Sequence, residues 1–121
     1  MLLPVSAPFH CALVQPAADV MAEALAKVSV KPPTVPLVAN VLAKAIHTPN
    51  EIVRGLIEQV TGTVRWRESV LYMANAGVTN FYEVGAGKVL SGLIKRLAGD
   101  ATATAVGSPE DIAAFKAGRN A

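Results

Sequence analysis

Residues 78–106 read VTNFYEVGAGKVLSGLIKRLAGDATATAV, and this stretch decides the fold class. Val78–Val84 predicts a strand that closes in the turn Gly85-Ala86-Gly87. Lys88–Ala98 carries apolar residues at helical spacing, and Ala101–Val106 can form a further strand. A strand, a helix and a second strand in this order predict a parallel pair joined by a helical crossover.

The same alternation extends toward the N-terminus. Thr48-Pro49-Asn50-Glu51 predicts a helix start, because it offers a capping residue, a first-turn proline and the acid of a capping box. The remaining predicted elements are a helix over Val14–Val28, a strand over Val35–Val41, a helix over Trp66–Ala76 and a helix that starts at Ser108. The fold class is therefore α/β, with a partial, mainly parallel sheet and helical crossovers.

The helix over Val14–Val28 is expected to carry one apolar stripe, because its apolar residues recur at spacings of three and four. The members of this stripe are Ala17, Val20, Met21, Ala24, Leu25 and Val28.

Composition limits the possible partners and the compartment. The 121 residues are 52% hydrophobic and 17% charged, which is apolar for so small a domain and is typical of a piece of a larger protein. The net charge of +2 comes from scattered residues, so a nucleic-acid partner is not expected. The single cysteine, the lack of a signal peptide and the lack of a long apolar run predict a cytoplasmic protein without a membrane partner.

His10 is the main candidate for chemistry. It follows the segment Leu3–Phe9, in which Pro4 and Pro8 keep the chain extended, and it precedes the first helical pattern. A side chain at such a junction sits at the edge of a sheet, where open α/β folds build their sites. Imidazole also changes charge near neutral pH, which suits a general base, although a lone histidine is more often structural.

Gln59 offers a partner for that histidine. It lies in the last turn of the helix that starts after Thr48, and the last four carbonyls of a helix lack partners within the helix. Such a carbonyl can accept the Nδ1–H of a histidine, fix its tautomer and stabilise the imidazolium as it forms. The sequence alone does not show that His10 and Gln59 meet.

Other motifs point to structure more than to chemistry. Gly85-Ala86-Gly87-Lys88 lacks the further glycine and the Ser or Thr of a phosphate loop, so a tight turn is the better interpretation. Cys11 is expected to be a buried structural cysteine, and His47 is expected at the surface. No cluster of His, Cys and acidic residues has the spacing of metal ligands, so no metal site is expected.

Several blocks of the chain, in matching order and spacing, resemble the bacterial malonyl-CoA:acyl carrier protein transacylases. The resemblance covers nearly the whole chain. The blocks that carry it are Leu3–Cys11, Gln15–Asp19, Pro36–Val41, Val64–Trp66, Ser69–Met73 and Tyr82–Leu90.

The resemblance implies an acyltransferase of fatty acid biosynthesis. Such an enzyme moves malonyl from coenzyme A to the phosphopantetheine thiol of acyl carrier protein through a Ser-His dyad, and it needs no cofactor of its own. His10 matches the family's general base, and Gln59 matches the residue whose backbone carbonyl orients it. In related polyketide acyltransferases the type of residue before the histidine correlates with the acyl group that the enzyme accepts. Phe9 occupies this position here, which implies a malonyl substrate.

The chain also departs from the family pattern. It contains no Gly-x-Ser-x-Gly motif. Residues 1–121 therefore resemble only the C-terminal portion of the α/β-hydrolase-like acyltransferase subdomain, without the nucleophile-bearing part and most of the ferredoxin-like subdomain. We expect the chain alone to have no transacylase activity, because a base without a nucleophile has nothing to act on. Two alternatives stay open, an acyltransferase domain of a polyketide-type multienzyme and a non-catalytic interaction module.

Overall fold

A computed structural model describes residues 7–119 of the chain. The chain divides into two compact units, Met1–Ser69 and Val70–Ala121. Most of the predicted extended segment Leu3–Phe9 falls within residues 1–6, which lie outside the described residues. The elements in chain order are α1 (Gln15–Leu25), β1 (Leu37–Val38), β2 (Ala45–Ile46), α2 (Pro49–Thr61), α3 (Trp66–Asn75), β3 (Asn80–Val84), α4 (Val89–Leu97), β4 (Thr102–Val106) and α5 (Pro109–Arg119).

The second unit contains the predicted crossover. Strands β3 and β4 pair in parallel with Asn80 opposite Thr102 and Val84 opposite Val106, and α4 connects them and packs on both. Gly107 is required where β4 ends, because a Cβ there would lie 2.4 Å from the carbonyl oxygen of Gly85. The α/β class predicted from the sequence is confirmed.

The first unit contains a pairing that the sequence did not predict. The strand expected over Val35–Val41 is only two residues long, Leu37–Val38, and it pairs antiparallel with Ala45–Ile46. The cause is a tight turn, in which Ala43 donates to the carbonyl of Ala39 at 2.8 Å and adopts a left-handed conformation with φ of 52°. The sheet of this unit is therefore a short hairpin.

Helix α2 begins as its sequence predicts. The backbone N–H of Glu51 donates to Oγ1 of Thr48 at 3.3 Å, and Oε2 of Glu51 accepts from the N–H of Thr48 at 3.1 Å. This capping box satisfies backbone donors that the first turn of a helix otherwise leaves free.

The apolar stripe predicted for α1 is largely exposed. Val20, Met21 and Val28 are exposed, and the buried residue of the helix is Ala18. Helix α1 packs on α2.

In the part of the chain that the structure describes, no helix is both long enough and apolar enough to span a bilayer.

Candidate functional site

The backbone at His10 is strained. Its φ is 53°, in the left-handed region that residues other than glycine rarely adopt, although histidine enters it more often than most. Non-glycine residues held there cost about 1–3 kcal/mol each and cluster at functional sites. The side chain of His10 is exposed. The conformation therefore marks His10 as a constrained and accessible residue, which its sequence context alone did not reveal.

A hydrogen bond explains how the imidazole is held. Nδ1 of His10 lies 2.8 Å from the carbonyl oxygen of Gln59. Because a carbonyl only accepts, Nδ1 carries the proton in this contact. The lone pair of the neutral ring then belongs to Nε2, which is the atom available to take a proton from another molecule. His10 and Gln59 are therefore in contact, which the sequence alone did not show. Their catalytic roles stay predictions.

Gln59 belongs to the last turn of α2, and the end of that helix is tightly constrained. Gly62 follows the helix, and its N–H donates to the carbonyl of Glu58 at 2.9 Å. A Cβ at Gly62 would lie 2.8 Å from Cγ2 of Val41 and 2.9 Å from the carbonyl oxygen of Glu58, so no larger residue fits without a shift. The carbonyl that faces His10 is thus part of a closely packed turn.

Asn40 contacts the same glutamine from another side. Its Nδ2 donates to Oε1 of Gln59 at 3.0 Å. Asn40 was not predicted as a site residue from the sequence. The available signal was a polar residue directly after the apolar run of residues 37–39, near the end of β1, a position at which α/β folds often place functional side chains.

A cavity adjoins these two amides. It has a volume of about 330 Å³, and Asn40 and Gln59 are its amide-bearing residues. Its other lining residues are apolar or glycine and come from β1, β2, α2 and Ala39. A larger cavity of about 610 Å³ lies between the C-terminal end of α1 and α2, and neither His10 nor Gln59 lines it.

Phe9 directly precedes His10, and its side chain is 67% exposed. Its proposed part in acyl selectivity stays a prediction. Cys11 is half-buried, less than expected, and His47 is exposed as predicted. Among residues 7–119, no group of three or more His, Cys, Asp and Glu side chains is arranged to hold a metal ion.

The N-terminus of α4 is occupied by a carboxylate from its own fold. Glu83 accepts from the N–H of Leu90 at 3.1 Å, and from the N–H and Oγ of Ser91 at 2.8 and 2.6 Å. The hydrogen bond from the Ser91 hydroxyl, followed by those from the backbone, lowers the pKa of Glu83. Because Glu83 already uses these donors, the turn Gly85-Ala86-Gly87 is a structural turn in front of a capped helix, as its sequence indicated.

The chain has relatives of known name in sequence and in structure. No family model matches it. The malonyl CoA-acyl carrier protein transacylase of Escherichia coli K12 is 49% identical over 112 residues, which are 93% of this chain and 36% of that enzyme. The polyketide biosynthesis protein ThaF of Burkholderia thailandensis is 33% identical over 97 residues, which are 80% of this chain and 8% of that protein.

A solved structure agrees with the sequence matches. The acyl-carrier-protein S-malonyltransferase of Bartonella henselae superposes with a TM-score of 0.89 at 47% identity, over 100% of this chain and 38% of that one. The chain thus spans about a third of the length of the curated transacylase that it matches.

In fold and in sequence the chain is similar to a segment of known α/β acyltransferases. More narrowly, the resemblance to malonyl-CoA:acyl carrier protein transacylase is confirmed, for a segment that covers about a third of such an enzyme.

Proposed function

We propose that this chain supplies the general base of a malonyl transfer from coenzyme A to the phosphopantetheine thiol of acyl carrier protein. The contact between Nδ1 of His10 and the carbonyl of Gln59 carries the proposal, because it leaves Nε2 as the proton acceptor. The similarity to transacylases of known name supports the choice of substrates. The nucleophile of this reaction is the hydroxyl of a serine in a Gly-x-Ser-x-Gly motif. The 121 residues of this chain do not contain that motif.

In the first half of the reaction, Nε2 of His10 takes the serine proton while the serine oxygen attacks the thioester carbonyl. The imidazolium that forms keeps its Nδ1–H on Gln59, whose helix-end carbonyl stabilises the positive charge. Collapse of the tetrahedral intermediate breaks the C–S bond, and the coenzyme A thiolate receives the proton from Nε2. The products are a malonyl-serine ester and free coenzyme A.

The second half repeats these steps with a different nucleophile. Nε2 takes the proton of the phosphopantetheine thiol, the thiolate attacks the ester carbonyl, and the serine oxygen leaves with the proton. No cofactor enters this scheme, since the thioester already carries the activated acyl group. We further propose that Phe9 favours malonyl, because a bulky ring beside the base would crowd an α-methyl branch. Cytoplasmic localisation stays a prediction.

A polyketide-type acyltransferase is the second candidate, supported by the match to the polyketide biosynthesis protein. That match is weaker in identity and extent than those to the malonyl transacylases, which favours the first candidate. The two candidates share the proposed role of His10 and differ in acyl group and carrier.

A chimera tests the proposal. The matched residues of this chain replace their counterparts in the E. coli transacylase, and malonyl transfer to carrier protein is measured. We expect His10→Asn to lower kcat about 10²- to 10⁴-fold, the usual contribution of a general base. Asn tolerates a left-handed backbone, so the fold should persist. The matched control is His47→Asn, which removes an exposed imidazole and should leave kcat unchanged.

Two results would contradict the proposal. One is a His10→Asn chimera that transfers malonyl as fast as its parent. The other is a parent chimera that melts cooperatively and still has no activity. The 121-residue chain alone, assayed in parallel, should show transfer no faster than the buffer background.

A further inference from the structure

The side chain of Gln59 bonds to a residue outside the proposed proton-transfer scheme. Asn40 Nδ2 donates to Gln59 Oε1 at 3.0 Å, while the backbone carbonyl of Gln59 faces Nδ1 of His10 at 2.8 Å. One residue therefore contacts the histidine through its main chain and the asparagine through its side chain. Both contacts act on the same Cα, so fixing the side chain restricts the peptide group as well.

We propose that Asn40 is a positioning residue, which holds the last turn of α2 so that the Gln59 carbonyl stays directed at His10. This inference rests on the proposed function for its catalytic consequence. Among the described residues, Asn40 makes no hydrogen bond to the imidazole, and its link to His10 runs through Gln59. The last turn of a helix frays most easily because its carbonyls lack partners within the helix, so a bond from outside has the largest effect there.

Asn40 is itself held firmly. Its carbonyl accepts from the N–H of Arg65 at 3.0 Å, and Nη1 of Arg65 donates to the carbonyl of Leu42 at 3.3 Å. The turn around it is closed by the hydrogen bond from Ala43 to Ala39, and both alanines are buried. A rigid turn that carries a donor can fix a flexible partner, whereas two mobile groups cannot fix each other.

The chemistry of two amides gives a specific expectation. Asn40→Leu keeps the approximate size and removes the donor. Asn40→Asp also removes the donor, but the Gln59 amide can rotate and donate its Nε2–H to the carboxylate. The contact should therefore be lost in the Leu variant and restored in the Asp variant. A role in packing alone would not separate the two in this way.

Kinetics of the E. coli chimera supply the first test. We expect Asn40→Leu to lower kcat about fivefold with KM unchanged, as the loss of one ordinary hydrogen bond implies. Gln59→Ala, which keeps the backbone carbonyl, should have the same effect, and the double variant should be no worse than either single variant. Asn40→Asp should remain within about twofold of the parent. The matched control is Asn50→Leu, an exposed asparagine in the first turn of α2, which should leave kcat unchanged.

NMR supplies a second test that needs no activity. In the 121-residue chain and the chimera, both labelled with ¹⁵N-histidine, the His10 Nδ1–H proton should exchange with water faster in Asn40→Leu than in the parent. It should exchange at the parental rate in Asn40→Asp. The His10→Asn variant assigns the resonance. A Leu variant that does not fold shows as a lost melting transition, and the Asp variant and Gln59→Ala then carry the test.

The outcomes separate the two proposals. If His10→Asn abolishes transfer while Asn40→Leu equals the parent in both kcat and proton exchange, the role of Asn40 is wrong and the proposed function stands. If His10→Asn has no effect while exchange still depends on Asn40, the proposed function is wrong and the positioning contact stands. Additive losses from Asn40→Leu and Gln59→Ala would show that Asn40 acts by another route, against the inference.

Discussion

Gly62→Ala should destabilise the chain and disturb the site together. The added Cβ would lie 2.8 Å from Cγ2 of Val41, about 0.7 Å inside the optimal separation of two carbon atoms, and 2.9 Å from the carbonyl oxygen of Glu58. Val41 can rotate its side chain, but the carbonyl of Glu58 belongs to the backbone. The last turn of α2 must therefore move, and this turn carries the Gln59 carbonyl.

The expected cost is about 1–3 kcal/mol, the usual range for overpacking in a closely packed region. For a chain of this size, 1 kcal/mol lowers the melting temperature by about 4 °C. Thermal and urea unfolding of the parent and the variant measure the effect. In the chimera, the same substitution should also lower kcat for malonyl transfer, because the neighbouring peptide of Gln59 shifts with Glu58.

Gly92→Ala is the matched control. In the described part of the chain, a Cβ built at Gly92 meets nothing within 4 Å, and the residue lies inside α4. Alanine there should stabilise the helix by about 0.5–1 kcal/mol. A Gly62→Ala variant that melts at or above the parent, beside a control that rises as expected, would refute the argument that this turn is closed to a side chain.

Two further predictions concern the cap of α4 and the acyl group. The folded-state pKa of Glu83 is lowered, so its carboxylate stabilises the fold fully above an unfolded value near 4.5 and loses this contribution as pH falls through the folded pKa. In urea unfolding, Glu83→Gln should have a lower free energy of unfolding than the parent at pH 7, and this difference should shrink below pH 4.5. The control Glu23→Gln, at an exposed position, should unfold like the parent at each pH. A difference between Glu83→Gln and the parent that does not change with pH would contradict the role assigned to Glu83. Phe9→Ser in the chimera should raise kcat/KM for methylmalonyl relative to malonyl transfer, about tenfold by the usual worth of one methyl group, and an unchanged ratio would remove Phe9 from selectivity.

The sequence was sufficient where a local rule decides the structure. The capping box of Thr48 and Glu51 and the crossover from β3 to β4 follow from neighbouring residues alone. It was insufficient where distant contacts decide. The turn that pairs β1 with β2 depends on the left-handed backbone conformation of Ala43. This conformation cannot be predicted from the sequence, because alanine rarely adopts it. The buried face of α1 depends on which side of the helix packs on α2, and the spacing of apolar residues does not show that side.

The candidate site shows the same division. Gln59 could be chosen because every helix end has free carbonyls, and His10 because imidazole is a suitable base. The contact between His10 and Gln59 joins residues that are 49 positions apart in the sequence, and the contact between Asn40 and Gln59 joins residues that are 19 positions apart. No local sequence pattern predicts such contacts. The strained backbone of His10 is likewise visible only in three dimensions.

The rate of enzyme acylation tests the central claim most directly. The chimera is mixed with excess malonyl-CoA in a single turnover, without carrier protein, and the malonyl-enzyme is quantified over time. If His10 takes the serine proton, His10→Asn should form the malonyl-enzyme at least about 100-fold more slowly than the parent. Acylation of the His10→Asn variant at the parental rate would contradict the account.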